Sequence, residues 1–95
     1  MLRGRIWRVG LKMRWYILGE RERVRSGQFV AVAVAYEDMT ATLVRDYLRE
    51  RGIGAAFSPV THLYIPLPTR IWVHADDEAD ALESLRQLQA EWQEG

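Results

Sequence analysis

Cysteine is missing from this chain of 95 residues. That excludes a disulfide framework and a thiolate zinc site, and the matching expectation is a reducing, cytoplasmic setting. Proline occurs three times, at 59, 66 and 68, so one segment alone is barred from being a central strand. No apolar run approaches the roughly 18 residues of a membrane span. The opening MLRGRIWRVGLKMR also interrupts each apolar cluster with a cation, unlike a signal-peptide core, and no membrane partner is expected. No serine sits in a glycine-flanked elbow, which leaves Ser58, Ser84 or a threonine as nucleophiles without a recognisable setting. The Gly52-Ile-Gly54 step leaves a helix for a strand, the reverse of the polarity that aims a helix N-terminus at phosphate.

What is present reads as one globular domain. Hydrophobic residues make up 48% of the chain, with four tryptophans, enough for a single core in a chain of this length. The net charge of zero hides an asymmetry. Residues 1–30 carry eight Lys or Arg against two Glu, and residues 31–95 carry five Arg against eleven acids. The two parts therefore attract each other, either within one chain or between copies, or the cationic part meets an anionic partner such as nucleic acid.

The periodicity changes along the chain in a definite order. Residues 5–9 (RIWRV) and 13–18 (MRWYIL) have the aromatic and branched content of short strands, and ERERVRSG follows as a loop or hairpin tip. Residues 28–35, containing FVAVAVA, form the strongest strand. From Tyr36 the apolar spacing becomes helical, with Met39, Leu43 and Tyr47 at i, i+4 and i+8 and Val44 and Leu48 beside them. Gly52 then occupies the place where a left-handed terminating residue is wanted. Short strands are predicted at 55–58 and 62–65, a firmer one at 70–75 (RIWVHA), and a last helix capped by Asp76 or Asp77 with a Leu82, Leu85, Leu88, Trp92 stripe.

This order predicts an α+β fold of two layers, an antiparallel ferredoxin-like sheet with two helices on one face. Residues 28–95 supply the β-α-β-β-α body, and residues 1–27 form a basic aromatic arm or hairpin. A ferredoxin-like sheet ends with one more edge strand, which this chain lacks after its last helix. The hairpin from residues 13–18 into 28–35 is therefore expected to put an N-terminal strand at that vacant edge.

The body also resembles a known family. Its carriers are the helix ending in RERGIGAAF, the proline-containing loop and the RIWVHADDEADAL segment, with Leu48, Gly52, Ile53, Ala55, Trp72, Val73, Asp77, Asp80 and Ala81 at the matching positions. Over residues 29–92 it is similar to the prokaryotic signal-transducing proteins, a family of unknown function with a PII-like, ferredoxin-type fold. The resemblance implies a bacterial, non-enzymatic regulatory module that self-associates as a homo-oligomer and binds a protein or small ligand. It carries over no catalytic residue, no cofactor and no metal.

Strict strand alternation puts Val30, Val32 and Val34 on one face with Ile71 and Val73, the face the helices cover. Ala31, Ala33 and Ala35 then share the other face with Trp72 and His74. Ala31, Ala33, Tyr64, Trp72 and His74 are accordingly the candidate ligand or partner face, suited to a covering segment, a second copy or a small molecule. The nucleic-acid alternative rests on Arg3, Arg5, Arg8, Lys12 and Arg14 interleaved with Trp7, Trp15 and Tyr16, cations for phosphate and rings for bases, with Arg5, Arg8, Arg14, Trp7 and Trp15 as its site residues. A third alternative, a small metal-dependent enzyme, would draw on His62, His74, Asp76 and Asp77, although a strand end followed by a helix cap places the same residues there for structural reasons.

Overall fold

The computed structural model describes residues 14–57 and 68–94. Five strands and two α-helices occur among them. They are β1 (Trp15–Ile17), β2 (Arg25–Ser26), β3 (Phe29–Ala35), α1 (Asp38–Glu50), β4 (Ala55–Ala56), β5 (Thr69–His74) and α2 (Glu78–Glu94). Single 3-10 turns at Glu20–Glu22 and Ala75–Asp77 complete the order. The expected strands at 5–9 and 62–65 lie outside the described residues.

The sheet is antiparallel throughout, in the order β1-β3-β5-β4, with β2 also on β3. Both helices cover one face, which makes the two-layer, ferredoxin-like arrangement that the element order predicts. The vacant edge is filled as expected. Trp15, Tyr16 and Ile17 pair with Ala35, Val34 and Ala33, so the N-terminal segment supplies the antiparallel neighbour of β3. The return passes through the two-residue turn Gly27-Gln28, where Gly27 takes φ 60°, the positive value a tight hairpin needs at that position.

α1 ends as its sequence signals. Gly52 has φ 85°, its N–H donates to the Arg49 carbonyl, and Ile53 N–H reaches back to the Leu48 carbonyl. This pair of bonds is the Schellman closure, with Ile53 and Leu48 both buried beside it. Arg49 Nε donates to the Ala55 carbonyl at 3.0 Å, tying the helix to β4. The buried face of α1 is Thr40, Ala41, Val44 and Leu48. Met39 and Leu43, expected on that face with Tyr47, lie instead on its flank, and Met39 is 70% exposed. The helix phase follows the Ala41, Val44, Leu48 spacing, which the Met39 series misses by about one residue.

α2 also differs at its start. Neither Asp76 nor Asp77 caps it. The cap of the preceding 3-10 turn is His74, whose Nδ1 accepts the Asp76 backbone N–H at 3.2 Å. Asp76 and Asp77 lie within that turn, and Glu78 opens the helix itself.

The largest correction lies in the middle of β3. Ala31 pairs with Trp72, but Ala33 pairs with Ile71, so Val32 is an extra residue without a partner of its own on β5. Such a bulge reverses the alternation beyond it. Val30 and Val32 face the helices as expected, but Ala33 and Ala35 join them, and Val34 turns to the other side. The helix-side core thus combines Val30, Val32, Ala33 and Ala35 with Val44, Leu48, Ile71, Val73, Leu85 and Leu88. Trp15 closes its end, edge-on to Trp92 at 5.5 Å between ring centroids.

Candidate functional site

The face of the sheet opposite the helices holds the site. Its floor is a small buried cluster of Leu18, Ala31, Val34 and Trp72, with Tyr36 packed against it. The register lays these residues out in rows across three strands. Tyr16, Val34 and Arg70 form one row, because Tyr16 pairs with Val34 and Val34 with Arg70. Beyond it, the Tyr36 N–H donates to the Arg14 carbonyl at 2.8 Å, bringing those two side by side. On the other side of the row come Leu18 and Trp72.

Between these rows lies a depression of about 490 Å³, lined by Tyr16, Leu18, Glu22, Val34, Tyr36, Pro68 and Arg70. Its size falls in the range of small-ligand sites. The Tyr16 and Tyr36 hydroxyls are hydrogen-bonded at 3.0 Å, with the rings tilted and 6.0 Å apart. The Tyr36 hydroxyl beside it is the main cause that raises the Tyr16 phenol above its ordinary value. Arg14 places its guanidinium 5.7 Å from the centre of the Tyr36 ring. Among the described residues neither Arg14 nor Arg70 has an acidic partner, and both are exposed. Glu22, the one acid at the rim, is already engaged through Oε1 with the Gly19 N–H at 3.2 Å. The lining therefore offers two phenols and one cation without an acidic partner, Arg70, above an apolar floor, with Arg14 outside it against the Tyr36 ring. Phenols and a guanidinium are the groups that suit a flat or anionic ligand, and among the described lining residues no nucleophile is paired with a base.

The residues expected here meet different fates. Ala31 and Trp72 are on this face, but Ala31 is fully buried and Trp72 is only 9% exposed, so they form its floor and not a bare surface. Ala33 is on the opposite face, moved there by the bulge. His74 belongs to the open face, but both its nitrogens are occupied. Nδ1 accepts the Asp76 N–H, so Nε2 carries the proton and donates to Gln28 Oε1 at 3.1 Å, with the ring edge-on to Phe29. His74 thus joins the hairpin turn to the start of α2. Tyr64 lies outside the described residues.

Of the nucleic-acid set, Arg5, Trp7 and Arg8 lie outside the described residues, Arg14 stands on the open face, and Trp15 does not. Trp15 is buried against Trp92 on the helix side, which removes it from any stacking surface. Of the metal set, His62 is outside the described residues, and among the described residues no three His, Asp or Glu side chains cluster closely enough to hold a metal ion. Tyr16 belongs to the cationic aromatic run that the sequence marks for nucleic acid, whereas Tyr36 and Arg70 carry no such signal. Alternation in β1 was sufficient to find Tyr16, since Trp15 and Ile17 flank it. Nothing in FVAVAVA marks the bulge that turns Val34, and Tyr36 after it, to the same side.

No protein-family model matches this chain, and neither a curated protein nor a solved structure matches it. Among the described residues no helix is long and apolar enough to cross a membrane.

Proposed function

We propose that the chain is a non-enzymatic, cytoplasmic binding module of regulatory or signal-transducing type, and that the open face of its sheet is where it binds. One observation carries the reading. The depression brings the phenols of Tyr16 and Tyr36 together with Arg70, whose charge has no acidic partner among the described residues, over a floor that is already packed. The resemblance of residues 29–92 to prokaryotic signal-transducing proteins supports a regulatory rather than a catalytic role.

An anionic aromatic probe, anilinonaphthalene sulfonate, tests the face. Folded protein at neutral pH should enhance its fluorescence, and Arg70→Glu should abolish most of that enhancement without shifting the melting temperature. Enhancement that is absent, or indifferent to Arg70→Glu, sinks the reading.

Self-association is the second part of the reading, and the specific feature favouring it is on α1. Met39 and Leu43 stand one turn apart and are exposed, an apolar step that a second copy would cover. Light scattering over a hundredfold concentration range, roughly micromolar to sub-millimolar, decides it. A mass that stays monomeric throughout, and is the same for Met39→Glu, removes self-association from the proposal.

A further inference from the structure

We propose that the open face at the Tyr16–Val34–Arg70 row is a platform for single-stranded nucleic acid. The proposal rests on the binding reading of this face and names its occupant.

The argument starts from what a single strand presents, which is flat bases and a phosphate at every step. A protein without sequence preference meets it with aromatic faces for the bases and uncommitted cations for the phosphates. An antiparallel sheet with helices on one side leaves its other side for that purpose, with side chains from adjacent strands standing in rows. Here the rows alternate in chemistry. Tyr16, 44% exposed, shares its row with Arg70 across the intervening Val34, and the Arg14 guanidinium stands over the Tyr36 ring. The hydroxyl–hydroxyl bond fixes the two rings relative to each other before any ligand arrives, which lowers the ordering cost of stacking.

Charge favours the same occupant. β1, which delivers Tyr16, closes a stretch of residues 1–19 that holds Arg3, Arg5, Arg8, Lys12 and Arg14 and no acid at all. Of the other described arginines four are held by carboxylates, whereas Arg21, Arg49 and Arg51 have no acidic partner among the described residues. Arg23 and Arg25 grip Glu78, Arg45 pairs with Asp46, and Arg86 with Glu83. The uncommitted positive charge of the described residues therefore includes the two arginines that border the tyrosines. An acidic peptide satisfies the cations but leaves the two rings without a flat partner, so the combination favours nucleic acid.

The experiment is fluorescence anisotropy of the full chain with labelled oligo(U) and oligo(dT) of about 12 nucleotides, at about 50 and 200 mM KCl. Both oligonucleotides should bind, more weakly at the higher salt. A Tyr16→Ala/Tyr36→Ala double variant should lose about tenfold or more in affinity, whereas Tyr16→Phe/Tyr36→Phe, which keeps the rings, should stay within about threefold of the parent. Arg70→Ala should weaken binding and reduce the slope of log affinity against log salt by about 0.7. Gln87→Ala, on the exposed side of α2, should change nothing. No binding at low salt overturns the proposal, as does binding that the alanine pair and Arg70→Ala leave intact. Competition by polyglutamate equal to that by unlabelled oligonucleotide also overturns it, in favour of an acidic protein segment. If the probe fluorescence still depends on Arg70 while oligonucleotides fail to bind, the face binds something else; if both fail, the face is not a binding site.

Discussion

Gly52 determines how the chain leaves α1. Its φ of 85° is open to glycine at no cost, and a Cβ there would meet nothing within 4 Å, so any penalty of substitution is backbone strain alone. Gly52→Ala should therefore destabilise by about 1 kcal/mol, lowering the melting temperature by about 4–8 °C, with Gly52→Asn nearer the parent. Differential scanning calorimetry of the three proteins checks the ranking. Ala33 and Val34 make a sharper pair. Ala33 is fully buried under the helices, whereas Val34 borders the open depression. Ala33→Leu should thus overpack the core and cost about 1–3 kcal/mol, while Val34→Leu should cost less than about 1 kcal/mol. Urea denaturation giving the reverse order would contradict the bulge at Val32, since unbroken alternation exchanges the two environments.

At the scale of elements, β1 is the unexpected economy. It has three residues, too few to be held by backbone bonds alone, and its anchor is Trp15 set edge-on against Trp92 of α2. Trp15→Ala should cost about 3 kcal/mol and should loosen the edge before the rest of the sheet. In hydrogen exchange the amides of Leu18 and Tyr36, which close onto Val32 and Arg14, should lose protection while those between β3 and β5 keep it. Equal loss everywhere would mean that β1 is part of one indivisible unit. The strands and helices themselves were legible because they depend on local signals: branched residues for β3 and β5, helical spacing for α1 and α2, and Gly52 for the stop. Their exact facing was less so. The alternation of alanine and valine in β3 looks regular, and the extra residue is defined only by which β5 partner each position meets. For the same reason the floor of the site was recognisable through Ala31 and Trp72, but its walls, Tyr36 and Arg70, were not.

For the whole molecule, the charge asymmetry finds a concrete use. Arg23 Nε meets Glu78 at 2.7 Å and Arg25 reaches the same carboxylate at 3.0 Å, so cations ahead of β3 hold the first residue of α2. Arg23 also donates to the Leu18 carbonyl, binding the loop after β1 into the same knot. Burial pushes the Glu78 carboxyl up, but the hydrogen bonds and charges of Arg25 and Arg23 outweigh it and leave the group below its usual value of 4.5. A carboxyl lowered in the folded state stabilises fully above that usual value, and the contribution disappears as pH falls through the folded one. Glu78→Gln should consequently lose about 1–2 kcal/mol near pH 7 and converge on the parent as the solution is acidified below pH 4.5. Stability measured by urea at several pH values checks it, and parallel curves without convergence would refute the role given to this carboxylate.

By itself the sequence determined the class of the fold, the order of its elements, the need for a strand at the empty edge and the attraction between a cationic first third and an acidic remainder. These follow from composition and from spacing within about twenty residues, where one stretch of chain carries the whole signal. The tertiary structure alone decided which side of the sheet each residue beyond Val32 takes, that Trp15 is core while Tyr16 is surface, and that Tyr36 and Arg70 share one depression. Those outcomes depend on register between strands far apart in the chain, and a shift of one residue there exchanges the two faces. The candidate face exists only once that register is set.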